Sequence, residues 1–239
     1  MLIFKVLSLL LSYPQAEMLE ALDEMAEVVD QELRLSQPCK RSLQALQASY
    51  HGVDLLDVQE DYVALFDRGR FLSLHIFEHV HGESRDRGQA MVNLLQMYQS
   101  HGFEMDSREL PDYLPLFLEF LSQLPSEHEA LQLLQDAMPV LSLLGARLNE
   151  RGSQFAAIFD ALADLAGEPE EIETIRQQAA SEGDDETLLH IDEIWEEEAV
   201  SFMANGSDTC KSQTTVSNPI IITPREQFTQ LRNQSQHGG

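Results

Sequence analysis

Apolar side chains recur at every third or fourth position along most of the chain, the period that places them on one face of an α-helix. No segment before residue 205 shows the period-two alternation typical of strands. The amino-terminal segment predicts a first core helix whose apolar face holds Ile3, Leu7, Leu10 and Leu11. The pattern predicts an all-α protein built as a single helical bundle.

The next helices are predicted over residues 15–34 and 40–50. Asp54 is a candidate N-cap, because its side-chain oxygen can accept a free N–H of the first helical turn. The helix that follows it ends near Gly69. Its apolar stripe consists of Leu55, Val58, Tyr62 and Phe66.

Three longer helices follow. In residues 84–101, which Gly102 terminates, the stripe consists of Met91, Leu94, Leu95 and Tyr98. A second helix, with Asp112 as candidate N-cap, is apolar nearly all round and is therefore expected in the centre of the bundle. The third, residues 127–149, carries Gly145 on its apolar seam, and the next stripe holds Phe155, Ile158, Phe159 and Leu162.

The last third of the sequence changes character. Residues 168–198 carry thirteen acids and one base, a composition typical of a solvated helix face. Residues 205–239 are rich in Ser, Thr, Asn, Gln and Gly and predict a flexible polar tail. We therefore expect one helical domain over residues 1–204 and a tail over residues 205–239.

Charge narrows the classes of partner. The 239 residues carry a formal net charge of −26, which repels nucleic-acid phosphates and anionic lipid, whereas a basic peptide would be attracted. Cys39 and Cys210 lie far apart and match no metal-binding spacing, which suits a reducing compartment. No stretch has the roughly 18 uninterrupted apolar residues of a membrane span. We expect a soluble cytoplasmic protein with no nucleic acid or stable membrane partner.

One string suggests a metal site. His75, Glu78 and His79 match the H-x-x-E-H spacing of inverted zinc peptidases. If all three lay on one helix, the two histidines would share a face. His81 would point away from that pair, and the spacing fixes only three positions, so a zinc-dependent hydrolase remains the less favoured alternative.

Charges of both signs follow this string. Glu83, Arg85, Asp86 and Arg87 lie between glycines at positions 82 and 88. Such a group is typical of an internally paired junction between helices, and a binding site would explain it equally well. We take a patch of five residues as functional or fold-specifying: His79, His81, Glu83, Arg85 and Asp86.

Four segments carry a family resemblance: YVALFDRGR, FEHVHGESRDRGQAMVNLL, RELPDYLPLFLEFLSQLP and IWEEEAVSF. Over residues 1 to about 204 the chain resembles the assembly chaperones of respiratory nitrate reductase, the NarJ or delta-subunit family. The resemblance implies the all-helical fold of molybdenum-enzyme chaperones and a non-enzymatic role. It implies no stably bound cofactor, and a partner in the apo catalytic subunit, chiefly its amino terminus. The chaperone would keep that subunit competent for molybdenum cofactor insertion and prevent premature membrane anchoring, without joining the final enzyme.

The resemblance also implies a peptide site. The two family elements that line it map onto Tyr62, Leu65, Phe66, Pro111, Asp112 and Tyr113. Tyr113 stands where the broader superfamily often has histidine. Tyr62, Leu65 and Phe66 could equally be plain core, and Asp112 a plain helix cap. A generic helical adaptor for another partner is a further alternative.

Overall fold

The computed structural model describes residues 1–82, 84–105, 109–182 and 222–224. Over these ranges the chain forms eleven helices and two short strands. In chain order they are α1 (Leu2–Leu11), α2 (Ala16–Glu20), α3 (Leu22–Gln31), α4 (Gln37–Ser49), α5 (Leu55–Phe66), α6 (Ile76–His81), α7 (Arg85–Ser100), β1 (Phe103–Met105), α8 (Leu114–Gln123), α9 (Glu127–Glu150), α10 (Ala156–Ala166), α11 (Ile172–Ser181) and β2 (Ile222–Pro224). The all-α prediction is confirmed in the described part of the chain.

Helix α8 forms the centre of the bundle, as its apolar surface predicts. Its first eight residues, Leu114 through Leu121, are all buried. Helix α1 packs along α8 and is fastened to it by Ser8, whose hydroxyl donates to the carbonyl of Pro115 at 2.7 Å. At the rim of this contact Lys5 pairs with Glu119 at 2.6 Å.

The second packing layer consists of α9 against α10, with α11 and α4 alongside them. Gly145 lets α9 and α10 approach closely, because a Cβ atom at this position would lie 2.7 Å from the Cβ of Phe159. Only glycine fits there without displacing the neighbouring helix. The sequence placed Gly145 on this seam, and the structure explains its presence.

Some predicted boundaries change. The segment predicted as one helix over residues 15–34 is divided at Ala21 into α2 and α3. Asp54 caps α5 as predicted, accepting from the Leu56 N–H at 2.9 Å. Asp112, predicted to cap α8, does not: the N-cap position is Tyr113, which makes no side-chain capping bond. Asp112 instead caps a different helix, as described below.

The strand β1 was not predicted, because three residues are too short to show alternation. It pairs antiparallel with β2, so that Phe103 lies opposite Pro224 and Met105 opposite Ile222. Apart from β2, the predicted tail over residues 205–239 lies outside the described residues, as does the acidic run beyond residue 182. In the described ranges, no helix combines the length and apolar character needed to cross a membrane.

Candidate functional site

A cleft of about 290 Å³ opens beside α5, between the end of α1, the 67–75 loop and the start of α8. Four of its ten lining residues are phenylalanine or tyrosine, and two carboxylates stand at its rim. We call it the aromatic cleft; it is lined by Tyr13, Tyr62, Val63, Phe66, Asp67, Ser73, Leu74, His75, Glu109 and Tyr113.

Ring contacts shape the wall of this cleft. Tyr13 meets Tyr62 edge to face at a centroid distance of 5.7 Å, and Tyr62 lies 5.0 Å from Phe66. Phe66 in turn meets Phe155 edge to face at 5.0 Å. Such pairs hold aromatic rings in fixed orientations, so the wall is rigid before any ligand arrives.

Two tyrosine hydroxyls meet at the floor of the aromatic cleft. The Tyr62 hydroxyl donates to the carbonyl of Leu11 at 2.8 Å, so its oxygen accepts from the Tyr113 hydroxyl at 3.1 Å. Burial raises the pKa of Tyr62 well above its ordinary value and raises the pKa of Tyr113 to about 12. Both hydroxyls therefore remain protonated at neutral pH.

Asp112 organises the junction behind the cleft. Its side chain is fully buried, and one carboxylate oxygen accepts from the Phe77 N–H at 3.2 Å while the Asp112 carbonyl accepts from the Ile76 N–H at 3.0 Å. These are the free donors at the first turn of α6, so Asp112 caps that helix from another part of the chain. The remaining partners are the His75 ring at 3.2 Å and the Arg87 guanidinium at 3.7 Å.

The same junction carries backbone pairing. The Leu114 N–H donates to the carbonyl of Leu74 at 2.8 Å, and His75 and Tyr113 form an isolated antiparallel bridge. The His75 ring lies 5.5 Å from the Tyr113 ring and lines the cleft. Asp112 thus holds the two cleft residues His75 and Tyr113 in place, through its buried carboxylate and through the backbone hydrogen bonds next to it.

A second polar centre surrounds Arg147 of α9. Its guanidinium donates two hydrogen bonds to Glu182, at 2.7 and 2.8 Å, and one to the carbonyl of Phe71 at 2.9 Å. It also lies 4.0 Å above the ring centroid of Phe71. These bonds explain how an arginine that is only 8% exposed is tolerated, and they lower the pKa of Glu182.

His79 belongs to this second centre. Its Nε2 donates to the carbonyl of Ser73 at 2.7 Å, and its Nδ1 accepts from Arg147 at 3.1 Å. Carbonyls cannot donate and guanidinium groups cannot accept, so this arrangement fixes a neutral imidazole with its proton on Nε2. Burial is the main cause of a lowered pKa at His79 and favours the same neutral form.

The zinc-peptidase spacing therefore has no corresponding site. His75 precedes α6 rather than lying on it, and its Nδ1 is bonded to Asp112. Both ring nitrogens of His79 are engaged with protein groups. Within the ranges described, no three His, Cys, Asp or Glu residues lie close enough together to hold a metal ion.

The predicted site residues separate into groups. Tyr62, Phe66 and Tyr113 line the aromatic cleft, and Asp112 lies behind it. Pro111 also lies behind it, where its carbonyl accepts from the Tyr98 hydroxyl at 2.9 Å. Leu65 faces the opposite side of α5.

There Leu65 lines a second cleft of about 390 Å³, between α4, α5 and the turn before α10. The two clefts share Tyr62, so α5 forms a wall between them. The second cleft is lined by Leu46, Ser49, Tyr50, Val58, Asp61, Tyr62, Ala64, Leu65, Ser153, Gln154 and Phe155.

The predicted charged patch is not one cluster. His79 lies in the Arg147 centre, whereas His81 is half-buried with its ring 5.8 Å from that of Phe77. Arg85 and Asp86 are exposed in the first turn of α7, and Glu83 lies outside the described residues. The charge pairing at this junction runs instead from Arg87 to Asp112.

Sequence reasoning missed several cleft residues and, apart from His79, the residues of the Arg147 centre. Tyr13, Asp67 and Glu109 lie outside the helical stripes, so periodicity gave no signal for them. Arg147 could have been noticed as a base directly preceding Leu148 on an apolar seam. His75 enters the sequence analysis only through the metal spacing, although it lines the aromatic cleft.

Comparison with known proteins adds a family. The sequence pattern described as "Nitrate reductase delta subunit" matches residues 15–161. The nitrate reductase molybdenum cofactor assembly chaperone NarJ of Escherichia coli strain K12 is 46% identical over 200 residues, 84% of each chain. The probable chaperone NarW of the same strain is 42% identical over 212 residues, 89% of this chain and 88% of NarW. A probable NarJ of Bacillus subtilis is 32% identical over 161 residues, 66% of this chain and 85% of that protein.

Proposed function

The chain belongs to the nitrate reductase delta subunit family, and from that premise we propose that it is a chaperone that captures the apo catalytic subunit of nitrate reductase by its amino-terminal segment. The relatives named as cofactor assembly chaperones support an assembly role for this chain rather than an enzymatic one. The expectation that it is not an enzyme is confirmed by its family.

The observation that carries the peptide-binding proposal is the aromatic cleft with its acidic rim. Asp67 and Glu109 are exposed, and they border walls formed by aromatic rings. A segment with apolar and basic side chains would bury its apolar groups against these rings and place its positive charges beside the two carboxylates. The net charge of −26 would also increase the rate at which such a segment meets the chaperone.

The sizes of the two clefts favour side chains over a cofactor. Volumes of about 290 and 390 Å³ lie just below and near the lower end of the range of roughly 300–1,000 Å³ typical of small-molecule sites. Each cleft suits one or two apolar side chains, and burying one large apolar side chain contributes about 1.5–3 kcal/mol. A peptide that fills both clefts would bury two to four such side chains, a gross gain of roughly 3–12 kcal/mol from which the cost of ordering the peptide is subtracted.

The proposed mechanism is conformational. While the amino terminus of the catalytic subunit is held by the chaperone, that segment is unavailable for contacts that anchor the subunit at the membrane. Preferential binding to the cofactor-free subunit favours a state open to cofactor entry. The chaperone then dissociates and is absent from the final enzyme.

Calorimetric titration with a peptide from the amino terminus of the catalytic subunit tests the proposal. We expect binding in the micromolar range, and several-fold weaker binding by Asp67→Asn/Glu109→Gln, because the rim loses two carboxylates without losing volume. Asp136→Asn/Glu150→Gln, at two exposed acids of α9 that line neither cleft, is the matched control because it also removes two negative charges. Equal weakening by the control variant would assign the effect to overall charge rather than to the cleft.

A cellular experiment tests the partner itself. In cells unable to make the molybdenum cofactor, the catalytic subunit remains in its apo form, and we expect it to co-purify with this chain. Supplying the cofactor should reduce that co-purification. An absence of the catalytic subunit from the cofactor-deficient preparation, together with no peptide binding at concentrations on the order of tens of micromolar, would contradict the proposed function.

A further inference from the structure

The pairing of β2 with β1 returns a distant part of the chain to the body of the protein. Pro224 lies opposite Phe103, whose ring meets Phe120 of α8 edge to face at 5.5 Å. The residues after Pro224 therefore begin beside the middle of α8. This position determines which surfaces the following segment can reach.

The aromatic cleft is within reach. Tyr113, at the amino end of α8, is seven residues from Phe120, which is about 10 Å along a helix that rises 1.5 Å per residue. An extended chain spans about 3.3 Å per residue, so Phe228, four residues after Pro224, can lie about 13 Å from it. Leu231 and Arg232, three and four residues further on, can enter or flank the cleft.

The segment also has the chemistry that the cleft favours. Residues 225–232 read REQFTQLR, with Phe228 and Leu231 between arginines at both ends. Residues 205–239 carry three bases and two acids, in a chain that holds fifteen bases and forty-one acids in total. The tail thus carries a small net positive charge, which complements Asp67 and Glu109.

We propose that residues 225–232 dock in the aromatic cleft of their own chain and compete there with the catalytic subunit. The competition rests on the proposed function, whereas the docking itself does not. A short tether gives the tail a local concentration in the millimolar range. A segment with a dissociation constant of about 0.1 mM would then fill most clefts and weaken peptide binding about tenfold. Only a segment that binds better than the tail would displace it.

The full chain with Phe228→Ser/Arg232→Glu tests the competition, because these substitutions lie outside the helical bundle. We expect the variant to bind the catalytic-subunit peptide about tenfold more tightly than the parent chain. Gln234→Ala/Gln236→Ala, two substitutions just beyond the segment, should leave the affinity unchanged. Equal affinity in the parent chain and the Phe228→Ser/Arg232→Glu variant would overturn the competition.

Docking is tested without the catalytic subunit by a nitroxide label on Ser235→Cys in a Cys210→Ser background. Cys39 is buried and should escape labelling. We expect line broadening of the Asp67, Leu74 and His75 amide signals, and its loss in Phe228→Ser/Arg232→Glu. Absence of broadening at these amides, or broadening confined to the second cleft, would overturn the docking. Broadening without peptide binding in any variant would support the docking and contradict the proposed function instead.

Discussion

Replacing Asp112 with alanine should cost the protein much of its stability, although this residue lies in no catalytic or metal site. The substitution removes a carboxylate that is fully buried between His75, Arg87 and the Phe77 N–H. Removing one partner of a buried ion pair costs about 3–5 kcal/mol, because here Arg87 loses its counter-charge. For a chain of this size that loss lowers the midpoint of thermal unfolding by about 10 °C.

Two variants separate the contributions. Asp112→Asn keeps an oxygen that can accept from Phe77 and should lose only the charge pairing, so we expect about half the destabilisation. Asp86→Ala removes an exposed acid at the same junction and should change the free energy of unfolding by less than about 0.5 kcal/mol. Urea denaturation of all three variants at pH 7 provides the measurement.

Hydrogen exchange gives the sharper test of the capping role. In Asp112→Ala the Phe77 amide loses its acceptor and should exchange faster, together with the first turn of α6. A loss of protection confined to the first turn of α8 would show that Asp112 caps its own helix after all. A loss of less than about 1 kcal/mol would refute the argument from the buried carboxylate.

The remaining predictions concern packing, pH and the second polar centre. Gly145→Ala should lower the free energy of unfolding by about 1–3 kcal/mol, because its methyl would collide with Phe159. Gly88→Ala, in open space on α7, should raise it by about 0.5–1 kcal/mol. Thermal melts compare the two variants. The pKa of His79 is lower in the folded state, so the unfolded chain binds more protons below pH 6.5 and stability should fall as pH drops through that value. In His79→Gln, the free energy of unfolding obtained from urea denaturation should change less with pH in this range. Arg147→Met should lower the free energy of unfolding, measured by urea denaturation, by about 3–5 kcal/mol. It should also raise the pKa of Glu182, which carboxylate NMR measures.

The sequence alone predicts most of the helices, because each buries a stripe with the helical period. Phe4, Leu7 and Leu10 of α1, for example, are at most 1% exposed. The period is less informative in α7, where only Tyr98 is fully buried and the predicted stripe is otherwise half-buried. Periodicity indicates which face of a helix is apolar, but not whether a neighbouring element covers it.

The candidate site could be predicted only in part, for a different reason. Tyr62 and Phe66 lie on a stripe and were found, whereas the role of Asp112 depends on Phe77, 35 residues away. An aspartate before a helix has the local pattern of an N-cap, and no local pattern shows that it caps another helix. The zinc spacing, already the less favoured alternative, has the same weakness, since it assumes that His75 lies on the helix that starts one residue later.

The Arg147 centre has a consequence for the order of folding. Its hydrogen bonds join residues separated by 35, 68 and 76 positions, to Glu182, His79 and Phe71 respectively. Closing such long loops costs entropy before any bond forms, so these bonds should form after the helices have packed. We therefore expect Arg147→Met to accelerate unfolding while leaving the refolding rate nearly unchanged, which makes this arginine a determinant of how long the native state persists.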